Sequence, residues 1–298
     1  MRSAARGAAP TPRALIRQAR AALARARLHY GHGTTTALED ARFLVLHALG
    51  LPVDADGGTL DEPCSPAAAQ AARALVRRRI ATRAPAAYLA GRMWFAGLEF
   101  EVDERVLVPR SPIAEVIESG FSPWIDPDRV RRVLDIGTGS GCIAIASAVA
   151  LPWVHADATD LSQAALEVAA ANVRRHRVGA RVKLHRADLF PPGRHRYDVI
   201  VSNPPYVRAA VMRRFPAEYR HEPRMAFDGG RDGLDLVRRI VDGAARHLTP
   251  EGILVVEVGA GSAALEAAYP GLPFTWLEFQ RGGEGVFVLR RRDLEPHA

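Results

Sequence analysis

Two hydrophobic periodicities divide this chain. Up to about residue 85, apolar side chains recur every three to four positions. Beyond about 130 they come in short runs separated by polar stretches with a helical period. In the first region Leu15, Ile16, Ala19, Leu23 and Leu28 follow helical spacing. Thr11 supplies an N-cap for them, with Pro12 at the first helical position. Thr36-Ala37-Leu38-Glu39 has the form of a capping box. It opens a helix that carries Phe43, Leu44 and Leu46 and that Gly50 closes. Ser65-Pro66 starts a third helix reaching about Thr82. The expected result is a helical domain over 11–90, serving either as a docking module or as a structural cap. Its histidines, His29, His32 and His47, are scattered and suggest no chemistry.

Residues 91–115 change character. Trp94-Phe95, Phe100-Glu101-Val102 and Val106-Leu107-Val108 read as short strands, and Gly97 marks a turn, so a β-hairpin linker is expected. Pro112 then sits near the start of a helix containing Ile113, Val116 and Ile117. The remainder, 116–298, alternates strand and helix. Strands are expected at 133–136, 154–159, 182–186, 199–202, 253–258, 274–279 and 285–289, with helices near 141–150, 162–175 and 232–247. That alternation predicts a seven-stranded, doubly wound α/β sheet. The last two strands have no helix between them and are expected to pair antiparallel through the turn Gln280 to Gly283.

Composition narrows the setting. The apolar share, 48%, suffices for a full core, yet no apolar run could span a bilayer. The start lacks the apolar stretch of a signal peptide, and residues 1–10 read as a disordered Ala/Arg-rich tail. Cys64 and Cys142 match neither a disulfide framework nor a zinc spacing, which points to a reducing cytoplasm and no metal. The net charge is +7, and Lys183 is the sole lysine, so the positive charge is arginine. This is either a basic face for RNA or a ribosomal surface, or the mark of an Ala/Arg/Gly/Pro-rich composition.

Candidate chemistry sits at successive strand ends. The first strand of the sheet runs into Asp135-Ile136-Gly137-Thr138-Gly139-Ser140-Gly141. Glycines at a strand-to-helix turn admit a ligand close to the backbone. The Gly-x-Gly-x-Gly spacing behind an acidic residue differs from a dinucleotide fingerprint. It suits a cofactor with a cationic amino-acid portion and no pyrophosphate, such as S-adenosylmethionine. Asp160 ends the second strand, where a carboxylate can accept from both ribose hydroxyls; it could equally cap the next helix. Asp188, after the third strand, is placed to border an adenine or to serve a turn. The fourth strand ends in Asn203-Pro204-Pro205-Tyr206. The prolines remove two donors and stiffen the turn. The Asn203 side-chain oxygen and the Pro204 carbonyl are left as fixed acceptors for both hydrogens of an NH₂ group. Tyr206 could pack against the planar group.

Together these motifs resemble the HemK-like class I methyltransferases that act on glutamine side chains, along nearly the whole chain. Within that family the likeness is greatest to enzymes acting on large-subunit ribosomal protein L-three. It is carried by Trp94 to Gly97, Val102 to Glu115, Glu218 to Pro223 and Phe274 to Phe279. The release-factor branch differs: it has Pro-Arg-Pro-Glu-Thr-Glu where this chain has Pro109-Arg110-Ser111-Pro112-Ile113-Ala114-Glu115. The resemblance implies that Gly137, Thr138, Gly139, Gly141 and Asp160 contact the cofactor. It also implies that Asn203 holds both the cofactor end and the substrate amide, with Pro204, Pro205 and Tyr206 completing the clamp, and that Phe100 and Arg110 close over the cofactor. The implied partner is the ribosomal protein or a pre-ribosomal particle, with incidental rRNA contact. Three alternatives remain open, and methylation of a release-factor glutamine is the first of them. Methylation of adenine or guanine amino groups uses the same turn but needs base flipping. A non-enzymatic ribosome-assembly protein on this scaffold would be expected to lack an intact glycine loop and turn.

Overall fold

A computed structural model describes residues 9–294. The chain forms two compact units. One comprises the residues up to Gly91 together with Pro216–His221; the other comprises Arg92–Phe215 and the chain from Glu222 onward.

The first unit is helical, and its three long helices start at the caps expected from sequence. Helix Pro12–Arg25 follows Thr11, whose hydroxyl accepts from the Ala14 amide. Helix Ala37–Leu49 follows Thr36, which accepts from Glu39, and helix Pro66–Thr82 follows Ser65, which accepts from Ala68. The capping box is displaced by one residue, because the Glu39 carboxylate accepts from the Thr35 amide at 2.6 Å instead of from Thr36. Helices Gly57–Asp61 and Ala86–Ala90 were not foreseen, being too short to show a period. Leu15, Leu23, Leu44 and Val76 fill the core. Arg79 is buried there because Asp40 lies 2.8 Å away, both 1% exposed. The later segment Pro216–His221 adds Glu218, which is fully buried, accepts from the His29 amide and pairs with Arg83. Of the expected tail, residues 1–8 lie outside the described residues. Pro10 is pinned, its carbonyl accepting from both the amide and the thiol of Cys64.

The second unit opens with a hairpin, β1 (Arg92–Phe95) and β2 (Leu98–Glu101). Its turn residues Ala96 and Gly97 both have positive φ, the backbone twist that suits a two-residue hairpin loop. No strand forms at 106–108. Val106 bonds back to Asp103 in a turn, and the Val108 amide donates to the Glu222 carboxylate instead of to a ladder. The apolar alternation there reflects burial of Val106 and Val108 alone.

The sheet consists of β3 (Arg132–Ile136), β4 (His155–Asp160), β5 (Val182–Arg186), β6 (Tyr197–Ser202), β7 (Leu248–Glu257), β8 (Thr275–Trp276) and β9 (Val286–Arg290). The strand order is β5-β4-β3-β6-β7-β9-β8. The first five are parallel, and β9 runs antiparallel between β7 and β8. β8 is shorter than its apolar run suggested, but it pairs with β9 as expected. Helices Cys142–Ala150, Gln163–Arg175 and Asp235–Ala244 cover the sheet. Burial on both faces explains the continuous apolar runs at Leu134, Ile200, Leu254 and Val256. Strand order reverses between β3 and β6, so their carboxyl ends border the crevice where open α/β sheets bind ligands. Among the described residues no helix is long and apolar enough to cross a membrane, and no cluster of metal-binding side chains occurs.

Candidate active site

The carboxyl ends of β3, β4, β5 and β6 line one cleft, open to solvent. Gly137, Thr138, Gly139, Asp160, Asp188, Asn203, Pro204, Pro205 and Arg110 all line it.

The glycine loop divides its labour. Gly137 and Gly139 have positive φ, and a Cβ on either would meet nothing within 4 Å, so the loop's backbone is open to a ligand. Gly141 instead permits close packing: a Cβ there would lie 3.1 Å from Ile145 and 3.2 Å from Ala169. Asp135 does not line the cleft. It is fully buried, and its Oδ2 accepts from the Thr138 hydroxyl at 2.5 Å and the Ala144 amide at 3.1 Å, bracing the loop from beneath. Its other oxygen has no hydrogen-bond partner among the described residues, and burial pushes its carboxyl up to about 7.

Asp160 accepts from the Gly139 amide through one oxygen and from the Ser162 amide through the other. Ser162, not Asp160, caps the following helix. Each carboxylate oxygen keeps a second lone pair, which is the acceptor set a ribose diol needs. Burial raises the Asp160 carboxyl above its ordinary value. Asp188 lies at the cleft edge, paired with Arg239 at 2.8 Å on the exposed side. Cys142 also lines the cleft, but burial pushes its thiol up to about 12, too high for a thiolate at neutral pH.

At the end of β6, neither the Asn203 side chain nor the Pro204 carbonyl takes a hydrogen bond among the described residues, so both remain available. Tyr206 does not line the cleft. Its hydroxyl donates to Glu257 Oε1 at 2.6 Å, and its ring lies where a Cβ on Gly259 would stand, 2.8 Å away. The Ser111 hydroxyl donates to the other Glu257 oxygen at 2.5 Å. One buried carboxylate at the end of β7 thus ties the turn to the 102–112 loop. Arg110 faces the cleft and makes a two-pronged pair with Glu222 at 2.6 and 3.1 Å. Phe100 is also not a cleft residue; it is fully buried, with His176 4.9 Å away and Phe95 6.4 Å away. The loop after the hairpin, Arg105 to Val108, lines the cleft in its stead.

Sequence reasoning missed Glu257, Ser111 and the role of Glu222. The available signal was a carboxylate closing the apolar run Ile253 to Val256. Missed as well were Leu161 and Met225, cleft residues that are 56% and 48% exposed.

A seven-stranded sheet in this order, five strands parallel and β9 antiparallel, with an open glycine loop, an acid at the next strand end and an Asn-Pro-Pro-Tyr turn, defines a class I S-adenosylmethionine-dependent methyltransferase. Residues 122–217 match the methyltransferase small domain, and residues 14–91 match the PrmC N-terminal domain. The chain is 45% identical to the ribosomal protein uL3 glutamine methyltransferase of Burkholderia pseudomallei, over 96% of this chain and 97% of that one. It is 46% identical to the enzyme of the same name from Bordetella pertussis, over 95% and 96%. The chain belongs to this family of glutamine methyltransferases. Among solved structures, the hMettl16 catalytic domain in complex with an MAT2A 3'UTR hairpin shares the fold at 18% identity and a TM-score of 0.50, over 76% of this chain and 81% of that one.

Proposed function

We propose that this chain transfers a methyl group to the side-chain amide nitrogen of a glutamine in ribosomal protein uL3, and that Asn203 and Pro204 hold that nitrogen. The observation that carries the reading is the pair of uncommitted acceptors, the Asn203 amide and the Pro204 carbonyl, at the cleft end of β6. An amide nitrogen is a poor nucleophile because its lone pair is delocalised. Accepting from both of its hydrogens fixes its orientation and turns the lone pair toward the methyl donor. The contribution is positioning and electrostatics, with no strong base, since the methylated nitrogen sheds its proton readily to water. S-adenosylmethionine supplies the methyl group as a sulfonium.

Gly137, Gly139 and Asp160 would hold the donor, with Thr138, Asp188 and Arg110 bordering it. Gly141, Asp135, Phe100 and Tyr206 are framework for these contacts. The names of the full-length relatives support uL3 over a release factor as acceptor. The helical unit is the candidate module for docking the acceptor, free or within a pre-ribosomal particle, in the cytoplasm.

The test is methyl transfer from labelled S-adenosylmethionine to uL3, uL3-containing precursors and release factor, with calorimetry of cofactor binding. Label in a uL3 glutamine is expected. Label in RNA or only in the release factor would overturn the acceptor, and absence of cofactor binding would overturn the enzyme reading.

A further inference from the structure

The chain leaving the clamp forms two limbs, 207–215 and 222–231. Val207 donates to the Phe227 carbonyl at 2.8 Å, Gly229 donates to Val207 at 3.1 Å, and Ala209 donates to Gly230 at 3.0 Å. The rings of Phe215 and Phe227 meet edge to face at 5.2 Å. One end of this double limb is Tyr206, and the other supplies Pro223, Met225 and Ala226 to the cleft wall. It therefore flanks the acceptor nitrogen's entry.

Its exposed charge is mostly arginine, with Asp228 the one exposed carboxylate of the two limbs. Glu222 is buried against Arg110. Arg208, Arg213, Arg214 and Arg231 are exposed and have no carboxylate partner among the described residues. The Arg224 side chain is 82% exposed, and its nearest carboxylate, Asp228, stands 4.0 Å away. Clustered like charges cost stability through self-repulsion, and of these only Arg224 has an internal ion pair to offset it, the 4.0 Å contact with Asp228. Such a cluster is suited to an external polyanion. The planar guanidinium matches phosphate oxygens two at a time.

Building on the acceptor reading above, we propose that this double limb binds RNA phosphates and that the glutamine is presented by a protein already seated on RNA. Ribosomal proteins are themselves basic because they lie on RNA. A free basic acceptor meets repulsion at this rim over a Debye length of about 8 Å. The same acceptor on RNA brings phosphates to neutralise the rim.

The test uses the full chain and the variant carrying Arg213→Gln, Arg214→Gln and Arg231→Gln, none of which touches the cleft. Fluorescence anisotropy of a short RNA hairpin is followed across a salt series, and methyl transfer is measured on uL3 alone and on uL3 bound to its rRNA fragment. Wild type should bind the hairpin with salt-dependent affinity and favour the RNA-bound acceptor. The three charges should account for about 2 units of the logarithmic salt slope, roughly twentyfold in affinity between 50 and 200 mM salt. The variant should lose that share, together with its advantage on the RNA-bound acceptor, while methylating uL3 alone at least as fast as wild type, since the rim then repels the free acceptor less. The proposal is overturned by salt-independent or absent hairpin binding, by an unaffected variant, or by an acidic peptide or anionic vesicle competing for the same arginines better than RNA. If hairpin binding follows the prediction while neither form of uL3 is methylated, the acceptor reading fails and the RNA face stands.

Discussion

Tyr206→Phe removes one hydroxyl and leaves the ring. In the wild type that hydroxyl donates to Glu257 at 2.6 Å, and Ser111 donates to the other oxygen at 2.5 Å. Both lengths lie in the ~2.5–2.7 Å range of O–H donors on an ionised carboxylate. Glu257 is 6% exposed, so bulk water does not replace the lost donor. A hydrogen bond to a charged group contributes about 1.5–3 kcal/mol. A loss near 2 kcal/mol lowers the Tm of a unit of this size by roughly 4–8 °C. Burial already raises the Glu257 carboxyl, and Ser111 and Tyr206 oppose that rise. Without Tyr206 it rises further. A carboxyl raised in the folded state stabilises fully only below its unfolded value, and that stability is lost as pH climbs through the folded value. The variant's deficit should therefore be larger at about pH 8 than at about pH 5. Because Tyr206 anchors the turn, displacement of Asn203 and Pro204 by about 1 Å should cost ten- to hundredfold in kcat, with cofactor affinity unchanged. Thermal unfolding at the two pH values, with steady-state kinetics, checks this. Wild-type melting and turnover would refute the claim that the Glu257 link positions the clamp.

Asn203→Ala should keep the fold and lose turnover on the order of hundredfold or more, measured by label transfer. Gly137→Ala forces an alanine into the left-handed region at φ +71, at a cost of about 1–2 kcal/mol, and should weaken cofactor binding in calorimetry by filling the open backbone face. Gly141→Val should act on stability first, since its Cβ already crowds Ile145 and Ala169; a lower urea midpoint is the expected readout. For Asp135, burial raises the carboxyl from 3.8 to about 7. Its contribution to stability is therefore fully present below the ordinary carboxylate value and lost as pH rises toward neutrality. Asp135→Asn should flatten the pH dependence of the urea midpoint over that window, and an unchanged slope would count against a protonated Asp135.

What the sequence determined was local. Thr11, Thr36 and Ser65 cap the helices expected of them because a cap needs only a side chain within three residues of its amide. Gly137, Gly139, Asp160 and Asn203 were legible for the same reason. Strand ends expose backbone and side chain at the crevice of a parallel sheet whatever the distant chain does. The tertiary structure decided which residues face the cleft and which support it. Asp135, Phe100 and Tyr206 turn inward, to Thr138, to His176 and to Glu257. Ser111 meets Glu257 across 146 positions, and Arg110 meets Glu222 across 112. A buried carboxylate is stable only where donors converge on it, and those donors come from whichever elements packing brings close. No spacing along the chain encodes that convergence.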